Sequence, residues 1–308
     1  MACNSPLQSA PVSAREAVRD AVMALQRAGV ETASLDARVL LEYVLGASRE
    51  ELLAAMDVPI DDSQNAAYRE LVKKRARRCP VSQLTGRREF WGLTFKVTAD
   101  TLDPRPDSET LVEAVLEAVE GGTWNVKRDN VLPRATRHMP QTILDLGTGT
   151  GCLLIALLRE CKNAEGIGVD LSDAAIAVAR ENAAALGVGN RARFIAGNWN
   201  APLDGRFDSI LSNPPYIPTG EIATLAPEVA QHEPKLALDG GADGLDAYRA
   251  ILPRLSGLLA ERGRAFLEIG KGQEEDVITL ARQSGLAALG VKQDLGGVTR
   301  CVMLAMQN

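Results

Sequence analysis

The sequence lacks paired cysteines and long apolar runs. Its five cysteines, in 308 residues, are odd in number, scattered, and never spaced as C-x-x-C. This excludes a disulfide framework and a cysteine-based zinc site, so reduced thiols and no metal centre are expected. No apolar run approaches the roughly 18 residues of a transmembrane helix, and the first residues, MACNSPLQSAPVSAREA, lack the apolar core of a signal peptide. A cytoplasmic protein without a membrane segment is therefore predicted.

The chain also lacks an excess of positive charge. Its net charge of -6 argues against a surface built to neutralise nucleic-acid phosphates. The local exception is residues 71–88, LVKKRARRCPVSQLTGRR, which contain seven basic residues and no acid. Such a run is typical of a solvated helix face, but it also fits a docking surface for an acidic or RNA-associated partner. Both interpretations remain open on the sequence alone.

Residues 13 to about 80 have the pattern of a small helical bundle. Ser13 with Glu16, and Ser48 with Glu51, fit the S-x-x-E capping box, which satisfies free backbone N–H groups at a helix start. Between them apolar residues recur at helical spacing and predict one buried face: Leu35, Val39, Leu40, Tyr43 and Val44.

The pattern changes after Pro80. Residues 89–97, EFWGLTFKV, are rich in aromatic and β-branched residues around a glycine and predict a short hairpin. A helix should follow, with Asp107 or Ser108 as its N-cap. Residues 121–141 show no sustained periodicity and predict a surface loop or a partly disordered insertion.

From Thr142 onward short apolar runs alternate with helical patterns, one of them over residues 173–187 with Gly187 as its expected C-cap. Alternation of this length implies a largely parallel sheet with helices on both faces. The last two predicted strands, near 288–294 and 300–305, have no helix between them and predict a terminal antiparallel hairpin. The fold class is therefore α/β.

A glycine-rich loop follows the first of these strands, in LDLGTGTG. Gly147, Gly149 and Gly151 allow a close approach of the backbone to a ligand and leave helix N–H groups accessible. The spacing is G-x-G-x-G, and no Lys-Ser/Thr follows, which excludes a phosphate-binding P-loop. Asp170 lies 19 residues after Gly151, at the end of the next strand, where a carboxylate can accept both hydroxyls of a ribose. The alternative is an N-cap for the helix starting near Asp173.

Polar or glycine-rich segments end four successive strands, at 147–151, at Asp170, at 197–200 (GNWN) and at 212–216 (SNPPY). Ligands of open α/β sheets bind beyond the carboxyl ends of the strands, so one crevice is expected. This order of glycine loop, acidic residue and late N-P-P-Y resembles the class I methyltransferases that use S-adenosylmethionine. Trp199 either stacks on the adenine or is a partly buried surface residue.

The N-P-P-Y segment fits methylation of a planar amino group. Such a nitrogen loses conjugation as it attacks, and its N–H bonds become more acidic, so fixed acceptors favour the transition state. The Asn213 side-chain oxygen and the Pro214 carbonyl are candidate acceptors, held rigid by the rings of Pro214 and Pro215. Tyr216 offers a face for stacking. Adenine N6, cytosine N4 and the glutamine side-chain nitrogen all remain possible substrates.

Three further stretches narrow that choice: PVSQLTGRREFWGLTFKV (80–97), PRPDSE (104–109) and EPKLALDGGADGLDAYRAIL (233–252). With them the chain resembles the protein-(glutamine-N5) methyltransferases of peptide-chain release factors over most of its length. The resemblance implies a Rossmann-like, mostly parallel seven-stranded sheet. It also implies a helical docking domain over residues 1–84, a hairpin linker over 85–100 and a methyltransferase domain over 101–308.

The resemblance further implies roles for individual residues. The cofactor S-adenosyl-L-methionine would contact Gly147, Thr148, Gly149, Thr150, Gly151, Asp170, Trp199 and Asn213. The substrate glutamine would be held by Asn213, Pro214, Pro215 and Tyr216, with Asn213, Pro214 and Tyr216 acting in catalysis. Phe90 and residues 105–109 would lie near the cofactor pocket. Two features depart from the family pattern: Asp103 replaces an apolar residue, and the 121–141 segment is longer.

The implied partners are class 1 release factors, whose G-G-Q tripeptide carries the glutamine, and methylation there would support translation termination. No membrane and no direct nucleic-acid substrate are expected, and a monomer is predicted. The alternatives are a DNA or RNA amino-methyltransferase, a ribosomal-protein glutamine methyltransferase, and a binding module that has kept the fold without the activity.

Overall fold

The computed structural model describes residues 12–120 and 141–307. The chain divides into two compact units, Met1–Gly86 and Arg87–Asn308. Of the predicted 121–141 loop, only Gln141 belongs to the described residues, so that prediction lies outside them. No helix within the described ranges is both long and apolar enough to cross a membrane.

The first unit is helical, as predicted. Its described helices are α1 (Ala14–Arg27), α2 (Ala33–Leu45), α3 (Arg49–Ala54), α4 (Asp62–Ala76) and α5 (Val81–Thr85). Both predicted capping boxes are present, at the starts of α1 and α3. A third closes the start of α4, where Asp61 and Gln64 satisfy each other's backbone N–H groups.

The predicted apolar face of α2 is wrong at two positions. Leu35 and Tyr43 are 53% and 40% exposed, whereas Leu40 and Leu41 are fully buried. The buried face instead includes Ala33, Asp36 and Ala37. An aspartate is tolerated there because the Arg75 Nε donates to its Oδ2 at 2.7 Å, with both side chains almost completely buried. A buried charge needs such a partner.

The basic segment 71–88 is not one surface. Arg75 lies in the core of the helical unit, Lys73 bonds to Glu70 at 2.5 Å, and an Arg78 guanidinium N–H donates to the Gly29 carbonyl at 2.6 Å. The last two basic residues of the segment, 87 and 88, belong to the second unit. Only part of the segment is therefore exposed on the helical unit.

The second unit begins with the predicted hairpin, β1 (Arg87–Phe90) paired antiparallel with β2 (Leu93–Lys96). Trp91 and Gly92 form its two-residue turn with φ of 53° and 65°, as a type I′ turn requires at both positions. Phe90 and Phe95 pack edge to face, with ring centroids 6.2 Å apart.

A seven-stranded sheet forms the centre of this unit. Its strands are β3 (Thr142–Leu146), β4 (Glu165–Asp170), β5 (Ala192–Ala196), β6 (Phe207–Ser212), β7 (Leu259–Glu268), β8 (Leu286–Gln293) and β9 (Thr299–Met306). The order is β5-β4-β3-β6-β7-β9-β8. The first five strands in this order run parallel, and β9 pairs antiparallel with both β7 and β8. The predicted fold class and terminal hairpin are confirmed.

Helices cover both faces of the sheet. The described helices of this unit are α6 (Glu109–Glu120), α7 (Cys152–Glu160), α8 (Asp173–Ala185), α9 (Pro227–His232), α10 (Asp246–Leu258) and α11 (Glu274–Gln283). Successive residues of a strand point to opposite faces, so Ile143 and Leu144 of β3 enter two different apolar clusters, and both are fully buried. The chain leaves β3 toward β4 on one side and returns to β6 on the other, which opens a crevice at their carboxyl ends.

Three local predictions need correction. Neither Asp107 nor Ser108 is an N-cap, because both lie in a 3-10 turn, Pro106–Ser108, that leads directly into α6. Gly187, predicted as the C-cap of α8, lies one residue beyond the C-cap Leu186 and takes a φ of 72°. The short helix α9 and the 3-10 turns Thr219–Thr224 and Lys235–Ala237 were not predicted, because these segments are too short to show periodicity.

Candidate active site

The glycine loop turns sharply from β3 into α7. Gly147, Gly149 and Gly151 have φ values of 78°, 53° and 80°, a region that side chains with a Cβ disfavour. The backbone N–H groups of Gly147 and Thr148 donate to the Val169 carbonyl at 2.8 and 2.9 Å. These bonds fasten the loop to the end of β4.

Two of these glycines also lie in tightly packed surroundings. A Cβ on Gly147 would lie 3.1 Å from the Trp199 ring, and one on Gly151 would lie 3.0 Å from the Ile155 side chain. Around Gly149 there is nothing within 4 Å. The loop is therefore packed at its two ends and open at its centre.

The Asp170 side chain is hydrogen-bonded to the open centre of the glycine loop. Its Oδ2 accepts the Gly149 N–H at 2.8 Å, and its Oδ1 accepts the Ser172 N–H at 2.9 Å. The N-cap of α8 is Ser172, whose side chain accepts the Ala175 N–H, so the alternative capping role of Asp170 is wrong. Each carboxylate oxygen carries further lone pairs, so Asp170 can accept hydroxyl hydrogens while holding the loop.

A cavity of about 430 Å³ lies at the carboxyl ends of β3, β4 and β6, a size typical of a small-molecule site. Five of the predicted cofactor residues line it: Gly147, Gly149, Asp170, Trp199 and Asn213. Pro215 also lines it. Thr148, Thr150, Gly151, Pro214 and Tyr216 do not; the two threonines are almost fully buried.

Other lining residues were missed from the sequence. Ala99–Leu102 form one wall, and Leu171 and Leu236, 57% and 58% exposed, lie at its surface. In the sequence, the only indication of Leu171 and Leu236 was their position, next to Asp170 and within residues 233–252. Phe90, which was expected near this pocket, does not line it and is buried in the core at 1% exposure.

Trp199 is half-buried and lines the cavity, and its stacking on the adenine stays a prediction. Its ring lies against Gly147 and lines the cavity, and it also packs against the apolar cluster that contains Leu144. An Arg254 N–H donates to its backbone carbonyl at 2.8 Å. The indole is thus a fixed wall of the cavity.

Asn213 follows β6 directly and lines the cavity. Its Nδ2 donates to the Ser108 hydroxyl oxygen at 3.0 Å, so the amide nitrogen is engaged and Oδ1 is the end that remains for a ligand. Pro214 is buried. Sequence reasoning missed Ser108 as a partner, since 105 residues separate the two.

Tyr216 lies outside the cavity and is held from two sides. Its hydroxyl donates to Glu268 Oε1 at 3.4 Å, and its backbone carbonyl accepts the Gln273 side-chain amide at 3.0 Å. Burial raises the pKa of the phenol, and the Glu268 charge raises it further. Tyr216 is therefore neutral and acts as a donor.

Glu268 is a second residue that sequence reasoning missed. It is 1% exposed, and its Oε2 has no hydrogen-bond partner among the described residues. Burial raises the pKa of this carboxyl to about 7, while Ser108 and Arg300 oppose the shift. An acid ending an apolar strand, FLE, was the available signal.

The 104–109 segment is anchored by ion pairs. An Arg105 N–H donates to both carboxylate oxygens of Glu233, at 2.6 and 2.7 Å. Burial raises the pKa of Glu233, and Arg105 opposes this effect. Asp103, the departure from the family pattern, is 7% exposed and lies 3.9 Å from Arg88. A charged partner thus accompanies the buried aspartate.

The residues of the cavity suit a cofactor with a ribose and a flat ring. Asp170 offers hydroxyl acceptors, the Trp199 indole offers a flat apolar wall, and the cofactor can approach the backbone at Gly149. Asp145, buried below the loop, has its pKa raised to about 7 by burial, and its Oδ2 accepts the Thr148 hydroxyl at 2.7 Å.

Comparison with known proteins places this chain in a family. Residues 16–86 match the PrmC N-terminal domain, and residues 138–241 match a methyltransferase domain. The release factor glutamine methyltransferase of Rhodospirillum rubrum is 45% identical over 91% of this chain and 81% of its own length. That of Cereibacter sphaeroides is 45% identical over 94% of this chain and 97% of its own.

The chain belongs to the release factor glutamine methyltransferase family. Among solved structures, the catalytic domain of hMettl16, in complex with an RNA hairpin, has a TM-score of 0.51 at 15% identity, covering 80% of this chain and 82% of that one. At this identity the likeness concerns the fold alone. As a release factor glutamine methyltransferase family member with a class I domain, the chain uses S-adenosyl-L-methionine.

Proposed function

We propose that the protein transfers a methyl group from S-adenosyl-L-methionine to the side-chain amide nitrogen of the glutamine in the G-G-Q tripeptide of class 1 release factors. The observation that carries this is the shared cavity: Asn213 of N-P-P-Y lines the same space as the glycine loop and Asp170. Membership of the release factor glutamine methyltransferase family restricts the choice among planar amino groups to the glutamine side-chain nitrogen.

The chemistry follows from the acceptors. When bound, the cofactor supplies a methyl group on a positively charged sulfur. The amide nitrogen forms its bond to the methyl carbon as the carbon–sulfur bond breaks, and the nitrogen releases a proton to solvent. Asn213 Oδ1 and the Pro214 carbonyl would accept the two N–H groups as they acidify. Tyr216 would provide the stacking face for the amide.

The orientation of Asn213 supports this role. Because its Nδ2 donates to Ser108, the amide presents an acceptor rather than a donor to the ligand, which matches a substrate that carries only N–H groups at the reacting nitrogen. The rings of Pro214 and Pro215 restrict the backbone around it. Alignment then replaces a general base.

The partner roles rest on the same proposal. The helical domain, residues 1–84, would dock the release factor, and residues 85–100 would link it to the catalytic domain, residues 101–308. The exposed Lys73 and Lys74 on α4, and Arg77 at its C-cap, would take part in docking. A monomer located in the cytoplasm remains the sequence prediction.

The test compares substrates. Purified protein is incubated with labelled cofactor and one of four acceptors: an intact class 1 release factor, the same factor with its G-G-Q glutamine changed to alanine, a ribosomal-protein mixture, or nucleic acid. Label on the intact factor only is expected. Equal label on both release factors contradicts the proposal, and label on nucleic acid or ribosomal protein alone favours the corresponding alternative.

A further inference from the structure

Gln273 is the N-cap of α11, but its side chain does not cap the helix. N-caps are usually Ser, Thr, Asp or Asn, whose short side chains accept the first free N–H groups of the helix. The glutamine at this position makes no such bond. It is half-buried, and its amide is bonded to other parts of the chain instead. The role of the Gln273 side chain therefore lies outside α11.

The amide of Gln273 joins three segments of the chain. Its Nε2 donates to the Tyr216 carbonyl at 3.0 Å and to the Gly244 carbonyl at 3.3 Å. Its Oε1 accepts the Gly270 N–H at 2.9 Å. A carbonyl only accepts and a backbone N–H only donates, so these partners fix which end of the amide faces each of them. Both hydrogens of Nε2 are used in holding the two carbonyls together.

Two buried glycines allow the close approach of these segments. A Cβ on Gly244 would lie 2.4 Å from the Tyr216 carbonyl oxygen and 2.7 Å from Gln273 Nε2. A Cβ on Gly270 would lie 2.8 Å from Gln273 Oε1 and 3.1 Å from Cδ2 of the Tyr216 ring. A side chain at either position would displace the amide or the tyrosine. Both the backbone and the ring of Tyr216 are therefore packed against Gln273 and its glycine partners.

The glycine-rich stretch 239–244, DGGADG, also pairs with Ile217, the residue that follows N-P-P-Y. The Ile217 N–H donates to the carbonyl of residue 238 at 3.0 Å, and its carbonyl accepts the N–H of residue 240 at 2.9 Å. These bonds form a parallel bridge. The stretch 239–244 thus supports the end of the N-P-P-Y segment, and Gln273 ties the last residue of the stretch to the same end.

We propose that Gln273 is a positioning residue for methyl transfer: by donating to the Tyr216 and Gly244 carbonyls, it holds the tyrosine ring in the orientation that receives the substrate glutamine. This inference rests on the proposed function, in which the Tyr216 ring provides the stacking face. Gln273, Tyr216 and Gly244 are not among the described residues that line the cavity. Loss of the Gln273 donor should therefore affect the protein substrate and leave cofactor binding unchanged.

Two substitutions separate the donor of Gln273 from its acceptor. Gln273→Glu keeps an oxygen for the Gly270 N–H but replaces the donor with a second oxygen that faces two carbonyls. Gln273→Met, of similar length, removes both functions. Gln283→Glu, at an exposed position at the end of the same helix, is the matched control. For each full-length variant, kcat and KM are measured with an intact class 1 release factor, and the cofactor Kd is measured by titration calorimetry.

Both substitutions at Gln273 should lower kcat/KM for the release factor about 10-fold, the order of one aromatic stacking contact, with the cofactor Kd unchanged. Gln273→Glu should lose at least as much as Gln273→Met, because both lack the donor. In a Tyr216→Ala background, either substitution should cost little more, since the ring that Gln273 holds is already absent. Gln283→Glu should behave as wild type.

Wild-type kcat/KM in Gln273→Glu would overturn the inference, because a loss confined to Gln273→Met would assign the effect to the bond with Gly270. Losses that multiply in the Tyr216→Ala background, or a cofactor Kd weakened as much as kcat/KM, would overturn it too. If Gln273→Glu does not fold, Gln273→Met decides: a loss that disappears in the Tyr216→Ala background supports the inference, and unchanged kcat/KM overturns it.

The same assay separates this inference from the proposed function. A wild-type protein that binds cofactor but labels no release factor overturns the proposed function. Wild-type labelling, with no loss in either variant of Gln273, overturns the positioning role alone.

Discussion

The Asp170 Oδ2 atom accepts the backbone N–H of Gly149 at 2.8 Å, across 21 residues of sequence. The Asp170 carboxylate therefore fixes the conformation of the glycine loop, and both line the candidate cofactor site. Its second oxygen accepts the Ser172 N–H, so the side chain is fixed before any ligand arrives. Such preorganisation lowers the entropy lost on binding.

Replacement of Asp170 should weaken cofactor binding more than turnover. Asp170→Ala removes a charged acceptor, and hydrogen bonds to charged groups are each worth about 1.5–3 kcal/mol, or about 10-fold to 100-fold in Kd. Asp170→Asn, which keeps one acceptor oxygen, should lose less. Calorimetric titration with S-adenosyl-L-methionine checks this, and an unchanged Kd in Asp170→Ala contradicts the assignment.

Gly147→Ala and Gly187→Ala form a matched pair. Both residues have positive φ, 78° and 72°, so each substitution carries a backbone cost of roughly 1–2 kcal/mol. Only the Cβ on residue 147 meets Trp199, at 3.1 Å, whereas residue 187 has open space. Gly147→Ala should therefore weaken cofactor binding and Gly187→Ala should not. Equal effects of the two substitutions on the cofactor Kd would contradict the role given to the contact with Trp199.

The predictable part of the site came from residues that follow a strand immediately. Gly147, Asp170 and Asn213 lie directly at or after the ends of β3, β4 and β6, and parallel strands bring these ends to one edge of the sheet. The alternating apolar runs predicted the strands, and the positions of the strand ends predicted the crevice.

Ser108 and Glu268 were not predictable in the same way. Each meets the N-P-P-Y segment through a contact over 105 or 52 residues, and sequence periodicity contains no information on such pairs. The prediction that Leu35 and Tyr43 are buried was wrong for a related reason. Hydrophobicity predicted one buried face of the helix, but Asp36, which pairs with Arg75, occupies part of that face.

Asn213→Ala should lose most turnover while keeping cofactor affinity close to wild type. The substitution removes a rigid acceptor, and loss of one preorganised group costs about 10²–10³ in rate. Single-turnover kinetics with intact release factor measure this directly. Pro215→Ala, which alters the same wall without removing an acceptor, should lose less; near-full turnover in Asn213→Ala would contradict the role of its oxygen.

The Glu268 carboxyl should contribute to the free energy of unfolding, and this contribution should fall as pH rises toward 7. Burial raises the pKa of Glu268 from 4.5 to about 7, so the folded state keeps a proton that the unfolded state releases between these values. The contribution is present below about pH 4.5 and is lost as pH rises through about 7, on the order of 3 kcal/mol. Urea unfolding at about pH 5 and about pH 8 should show a smaller decline in Glu268→Gln than in wild type. Identical declines would contradict the raised pKa.

The central claim is the identity of the methylated atom. The most direct measurement is fragmentation mass spectrometry of the G-G-Q peptide from a class 1 release factor, after incubation with the protein and S-adenosyl-L-methionine. A single added methyl group on the side-chain nitrogen of the glutamine, absent when Asn213→Ala replaces the wild-type protein, is the predicted result. A methyl group on any other residue, or an unmodified peptide in the presence of cofactor-bound protein, would contradict the account.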